Sequence, residues 1–233
     1  MTTTSTGGVA VVVGAGRGLG RALVEALRDR GRTVVAIAAE EVDLTDPVAV
    51  RAAFDAAAAG RPVELVVMAH LEPAAFRSSP LVDLDDEAWE ATAERSLRAG
   101  VVVLQQAHAV VPDGARVVLV LPTSAATGVP GLVPLCSTVE GLRVMAKAVA
   151  RRWGARGITV NTVEVDLAAF VGSDADGDGT GEVPAAVQLG TPALVPGSAV
   201  DDVAGVVELL ASDAGAALTG ALLVADRGTV MLP

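Results

Sequence analysis

Short apolar runs alternate with amphipathic helical stretches along the chain, and this order constrains the fold more than any other feature. The run VAVVV at residues 9–13 is followed by a stretch in which Leu19, Leu23 and Leu27 recur at helical spacing and Gly31 ends the pattern. The same reasoning predicts further strands at RTVVAIAA, VELVVMA, ARVVLVL, ITVNTVEV and GALLVAD, and helices near 46–59, 84–111, 135–155 and 200–213. Because continuous apolar strands separated by helices form parallel sheets covered on both faces, we predict an α/β fold with a doubly wound parallel sheet.

We predict that residues 1–233 form one domain, because the length suits a single core and no change in composition marks a boundary. The link between the second predicted strand and DLTDP is too short for a crossover helix. Residues 171–198 are rich in Gly, Asp and Pro, which predicts a loop or lid. This segment contains alternating Asp residues, but Ala185 stands where a calcium loop needs a bidentate Glu, so no metal site is predicted.

The composition excludes several classes of partner. The net charge of −11 disfavours nucleic acid and anionic membranes, because binding to either needs clustered cations. The chain has no apolar run long enough to span a bilayer, and its first residues, MTTTSTGG, lack the basic and apolar regions of a signal peptide. The single cysteine, Cys136, excludes a disulfide framework and fits a reducing compartment. We therefore expect a cytoplasmic protein without nucleic-acid or membrane partners.

The stretch VVVGAGRGLG places Gly14, Gly18 and Gly20 directly after the first predicted strand and at the start of a helix. Glycines in this position allow a tight turn, and they let backbone N–H groups and the helix N-terminus approach a pyrophosphate. The alternative is a glycine turn that serves only the close packing of the strand and the helix. Both interpretations stay open at this point.

Several stretches beyond the glycine loop resemble the short-chain dehydrogenase/reductase superfamily. The spacing of Gly14, Gly18 and Gly20 is typical of that family, and VDLTD, RGITVNTV and the stretch from GSAVDD to LLVADRG extend the resemblance over essentially the whole chain. The resemblance implies a single-domain Rossmann-like fold that binds NAD(P)(H). It also implies that the glycines and Arg17 contact the cofactor and that Asp43 contacts its adenine.

The catalytic pair of that superfamily is missing at the expected positions. In the family a Tyr transfers the proton, and a Lys four residues later lowers its pKa and holds the nicotinamide ribose. An ungapped count back from RGITVN puts these positions at Leu135 and Val139, and the chain contains no Tyr. Neither Leu nor Val can transfer a proton or hydrogen-bond a ribose.

Other features on the nicotinamide side of the family's site also differ in this chain. The Asn-Asn-Ala-Gly of the family reads VMAH, which ends at His70, and its Pro-Gly reads VD, with Asp166 second and Glu164 just before. The family's Ser falls within PTS, which ends at Ser124. The acid that bonds the adenosine ribose is expected near residue 38, and two Glu residues follow at 40–41.

Four polar residues follow or end predicted strands, and ligand crevices of parallel sheets form at that edge. These residues are His70, Ser124, Glu164 and Asp166. A His near a carboxylate can act as a general acid/base pair at neutral pH. The alternative is that His70 fills space left by an unused cofactor pocket while the acids are solvated.

Three functions are compatible with this pattern. The first is a catalytically degenerate family member that assembles with an active paralogue, or with itself, through the helices near 84–111 and 135–155, which match the pair that commonly forms the family's oligomer interface. The second is an atypical NAD(P)H-dependent ketoreductase that draws its proton from water, the substrate or His70. The third is a redox-neutral dehydratase, isomerase or cyclase that uses His70 with Glu164 or Asp166.

Overall fold

The computed structural model describes residues 7–171, 190–194 and 197–231. Most of the loop or lid predicted at 171–198 lies outside the described residues. No helix in the described part of the chain is long and apolar enough to cross a membrane.

Six parallel strands form one sheet in the order β2-β1-β3-β4-β5-β6. The strands are β1 Val9–Val13, β2 Val34–Ile37, β3 Val63–Met68, β4 Arg116–Pro122, β5 Thr159–Val165 and β6 Leu222–Val224. The chain runs outward from β1 to the edge strand β2 and then crosses back to β3, which confirms the predicted doubly wound topology. β1 and β5 are buried along their whole length, whereas β6 at the opposite edge is partly exposed.

The helices form two groups around the sheet. They are α1 Gly18–Asp29, α2 Pro47–Ala58, α3 Asp86–Trp89, α4 Arg95–Val110, α5 Ser124–Thr127, α6 Val133–Trp153, α7 Leu167–Val171 and α8 Ala199–Ala211. α1 packs against α8, and α4 packs against both α2 and α6. Right-handed crossovers put these two groups on opposite faces of the sheet.

Local chemistry explains where two of these helices begin. Pro47 is the first residue of α2, and the Asp46 carboxylate accepts a hydrogen bond from the Val48 N–H at 2.8 Å. At α8 the Ser198 hydroxyl accepts from the Asp201 N–H at 3.1 Å. These caps satisfy N–H groups that a helix leaves without partners in its first turn.

The link from β2 to α2 contains no helix, as its length predicted, and α2 itself provides the crossover from β2 to β3. Residues 38–46 therefore run along the carboxyl edge of the sheet beside the glycine loop. Backbone hydrogen bonds hold this region together, because Gly14 N–H donates to the Ile37 carbonyl at 2.9 Å and Ala69 N–H donates to the Val13 carbonyl at 2.9 Å.

Candidate functional site

The glycine loop lies between β1 and α1, as predicted, and its glycines are needed for packing. Gly14 and Gly18 have φ values of +83° and +51°, a region that side chains rarely adopt. A Cβ on Gly14 would lie 2.6 Å from the Ala69 carbonyl oxygen, and one on Gly20 would lie 2.1 Å from the Gly14 carbonyl oxygen. Packing of the protein against itself is therefore enough to require glycine at positions 14 and 20.

A carboxylate covers the middle of this loop. A Cβ on Gly16 would lie 1.9 Å from Glu40 Oε2, and Arg17 Nε donates a hydrogen bond to Glu40 Oε1 at 2.6 Å. Burial alone would raise the pKa of Glu40, but the hydrogen bond from Arg17, a backbone hydrogen bond and the charges of Arg17 and His70 together lower it. Glu40 is thus an ionised group lying on the loop backbone.

His70 lies beside the loop next to a series of ion pairs formed by Glu72, Arg95 and Asp43. Its side chain is buried, and its Nε2 lies 3.8 Å from Glu72 Oε1. Arg95 Nε lies 3.4 Å from the same oxygen, and Arg95 Nη2 lies 3.7 Å from Asp43 Oδ1. The nearby His70 imidazole, together with Arg95, lowers the pKa of Glu72 despite its partial burial, and hydrogen bonds from Thr45 lower the pKa of Asp43.

Ser96 fixes the backbone of the His70 segment. Its hydroxyl donates to the Thr92 carbonyl at 2.6 Å and accepts from the Glu72 N–H at 3.0 Å. Thr92 belongs to a single π-helical turn, Glu90–Glu94, which joins α3 to α4. Sequence reasoning missed Ser96, Glu72 and Arg95, although the place of Glu72 just after His70 was a usable signal.

Ser96→Ala is expected to destabilise the protein by about 1–3 kcal/mol, because it leaves the partly buried Glu72 N–H without its acceptor. Urea denaturation of both proteins measures this difference in unfolding free energy. Ser137→Ala, which removes an exposed hydroxyl on α6, is the matched control and is expected to change stability little. Equal stabilities of the two variants would show that Ser96 does not anchor this segment.

The two positions assigned to the superfamily's Tyr and Lys lie on the inner side of α6. Leu135 and Val139 are both 0% exposed and belong to the hydrophobic core. The Thr138 hydroxyl between them is fully buried and has no hydrogen-bond partner among the described residues. This face of α6 presents no group that can exchange a proton near neutral pH.

Glu164 is a carboxylate in the core. It lies on β5 between Leu121 of β4 and Val224 of β6, and it is 0% exposed. Its Oε1 lies 3.3 Å from Arg143 Nε, but neither carboxylate oxygen has a hydrogen bond among the described residues. Burial raises the pKa of Glu164 to about 7; Arg143 opposes this rise, whereas Glu140 and Asp226 add to it.

Asp166 and Ser124 make contacts that support the local structure. Asp166 Oδ1 accepts from the Ala168 N–H at 2.9 Å in the first turn of α7. Ser124 is fully buried, its hydroxyl has no hydrogen-bond partner among the described residues, and Cys136 Sγ lies 3.6 Å from its carbonyl oxygen. Burial raises the pKa of Cys136, so its thiol stays protonated and unreactive near neutral pH.

The structure brings His70 and Glu164 into two different clusters. His70 interacts with Glu40 and Glu72, whereas Glu164 interacts with groups on α6 and after β6. These two sets share no member within the described residues. β4 lies between β3 and β5, and two strand spacings amount to about 10 Å. His70 and Glu164 therefore lie in separate clusters, and a general acid/base pair of His70 with Glu164 or Asp166 stays a prediction.

Comparisons with known proteins identify the family. D-threitol dehydrogenase of Mycolicibacterium smegmatis is 29% identical over 95% of this chain and 92% of its own length. The 3-oxoacyl-(acyl-carrier-protein) reductase of Escherichia coli is 27% identical over 97% of this chain and 98% of its own length. A family model described as enoyl-(acyl carrier protein) reductase matches residues 8–230. The chain belongs to the short-chain dehydrogenase/reductase superfamily.

A solved structure of the superfamily shows the same fold. It is a blue fluorescent protein from a metagenomic library in complex with NADPH, 29% identical, with a TM-score of 0.73 over 96% of this chain and 98% of that one. This match confirms the predicted family resemblance and the Rossmann-like doubly wound sheet.

The residues of this chain fit the pyrophosphate half of a nicotinamide dinucleotide. The pyrophosphate half keeps Gly14, Gly18 and Gly20 between β1 and α1, the arrangement that superfamily members use. At the positions of the family's Tyr and Lys, the nicotinamide half has Leu135 and Val139, and neither side chain has any exposed surface. Neither side chain can transfer a proton or hydrogen-bond a ribose. The described residues contain no cluster of His, Cys, Asp or Glu that could hold a metal.

Proposed function

We propose that this chain is a superfamily subunit that lacks Tyr-dependent hydride transfer of its own and acts by assembling with an active paralogue. The observation that carries this proposal is the full burial of Leu135 and Val139 in a chain without any Tyr. A fold kept intact while its proton donor is replaced by core residues favours a role in binding.

The surface formed by α4 and α6 supports assembly. A Cβ on Gly100 of α4 would lie 2.3 Å from Leu142 Cδ2, and one on Gly141 of α6 would lie 2.7 Å from Leu97 Cδ2. Such a close approach holds the two helices as one rigid surface. Val144 of α6 is 60% exposed on this surface, so a partner that binds here would cover it.

Light scattering of the purified chain, alone and mixed with a paralogue that has an intact Tyr-x-x-x-Lys, tests this proposal. We expect a defined hetero-oligomer, and we expect Val144→Asp to weaken it at least about tenfold because a charge would be buried at the interface. Val48→Asp is the matched control, since Val48 is 75% exposed on α2, outside the proposed surface. Failure to bind any paralogue, or equal weakening by both variants, would contradict the proposal.

The relative solved with NADPH favours a second candidate, an atypical NAD(P)H-dependent reductase. In this candidate His70 supplies the proton, because its Cβ lies 2.7 Å from where a Cβ on Gly14 would be, which places it beside the glycine loop. Turnover of a ketone by the isolated chain that is lost in His70→Ala would support this candidate over assembly.

A further inference from the structure

Gly16 is a glycine for a reason different from that of its neighbours. It is not among the glycines with positive φ, so its backbone conformation does not require glycine. Its missing side chain instead makes room for Glu40, because a Cβ would lie 1.9 Å from Oε2, 2.7 Å from Cδ and 3.1 Å from Oε1. The carboxylate of Glu40 thus lies directly against the loop backbone at Gly16.

Arg17 holds this carboxylate in place. The Arg17 Nε to Glu40 Oε1 distance is 2.6 Å, and the two side chains are 45% and 41% exposed. This exposure leaves the ion pair open to displacement by a competing anion, since surface pairs of this kind contribute little net stability. His70 also contributes to the lowered pKa of Glu40, after the hydrogen bonds and the charge of Arg17.

Glu40 occupies the same contacts with the glycine loop that a bound phosphate would need. A phosphate binds at a glycine loop because the backbone is open there, and a nearby Arg adds a charged hydrogen bond. The Glu40 carboxylate lies against the backbone at Gly16 and accepts the hydrogen bond from the Arg17 guanidinium. A carboxylate and a phosphate cannot share this place, because two like charges in contact repel each other.

We propose that Glu40 is an autoinhibitory contact, an internal anion that closes the glycine loop against the phosphates of a dinucleotide. The short link from β2 to α2 makes this possible, because it keeps residues 38–46 beside the loop. Displacement of Glu40 opens the loop at Gly16 and removes an anion from beside Arg17. This inference is independent of assembly with a paralogue, so either proposal can fail without the other.

Titration of NADPH and NADH into Glu40→Ala, followed by calorimetry, tests the inference. We expect the variant to bind NADPH about tenfold more tightly than the wild-type chain does, because a negative charge that repels the phosphates is removed from beside the loop. Glu41→Ala removes the same charge from an exposed neighbour and is expected to leave the affinity at the wild-type value.

The direction of the change in dinucleotide affinity distinguishes autoinhibition by Glu40 from the usual role of an acid after the second strand, which is to hydrogen-bond the adenosine ribose. If Glu40 bonded the adenosine ribose, Glu40→Ala would bind NADH more weakly than the wild-type chain does. That result would overturn the inference. Equal affinities of wild type, Glu40→Ala and Glu41→Ala would overturn it as well, and so would the absence of binding to Glu40→Ala up to millimolar dinucleotide.

Discussion

Replacement of Glu164 by glutamine is expected to stabilise the protein by about 2 kcal/mol near pH 8 and to flatten the pH dependence of its stability. The pKa of Glu164 is raised from 4.5 to about 7 in the folded protein, so the folded state retains the proton between these values while the unfolded state releases it. The stability that this proton provides is fully present below pH 4.5 and is lost as the pH rises through about 7. Glutamine keeps the shape of the side chain and never ionises.

Urea denaturation across this pH range measures the effect as the difference in unfolding free energy between variant and wild type. Glu25→Gln is the control, because Glu25 is exposed on α1 and its replacement is expected to change the free energy little at any pH. If the difference between Glu164→Gln and wild type stayed constant with pH, Glu164 would not hold a proton in the folded protein.

Gly20→Ala is expected to destabilise the protein by about 3 kcal/mol or more. The new Cβ would lie 2.1 Å from the Gly14 carbonyl oxygen and 2.9 Å from its carbon, and these backbone atoms cannot move without disturbing the junction of β1 and α1. Thermal unfolding of the variant gives the loss as a lower midpoint temperature.

Gly205→Ala is the matched control for this effect. Gly205 lies inside α8, and a Cβ there would meet nothing within 4 Å. Alanine is favoured over glycine in helices, so this variant is expected to gain about 0.5–1 kcal/mol. A loss at both positions would indicate general sensitivity to substitution rather than the close contact at the glycine loop.

The strands and long helices could be predicted because each depends on a local pattern. The run at residues 9–13 and the leucines of α1 carry their periodicity within a few turns of chain. The contact of Glu40 with Gly16 could not be predicted in this way. It depends on the path of residues 38–46 and on the direction of the Glu40 side chain. Hydrophobic periodicity in the sequence predicts neither of these.

The neighbours of His70 and Glu164 could not be predicted from local patterns either. His70 and Glu164 both end or follow strands, so the sequence predicted one crevice at the carboxyl edge. The strand order separates them. His70 lies beside Glu72, which follows β3, and Glu164 lies beside Arg143 on α6. Which polar groups meet depends on strand order and helix register, which are properties of the whole fold.

The proposed assembly with an active paralogue predicts that the isolated chain has no Tyr-dependent reductase activity and works through that paralogue. The most direct test measures NADPH oxidation with ketone and β-ketoacyl substrates, for the isolated chain, for the paralogue and for their mixture. We expect no turnover above background by the isolated chain, and higher turnover by the mixture than by the paralogue alone. Turnover by the isolated chain, or a mixture no more active than the paralogue, would contradict the claim.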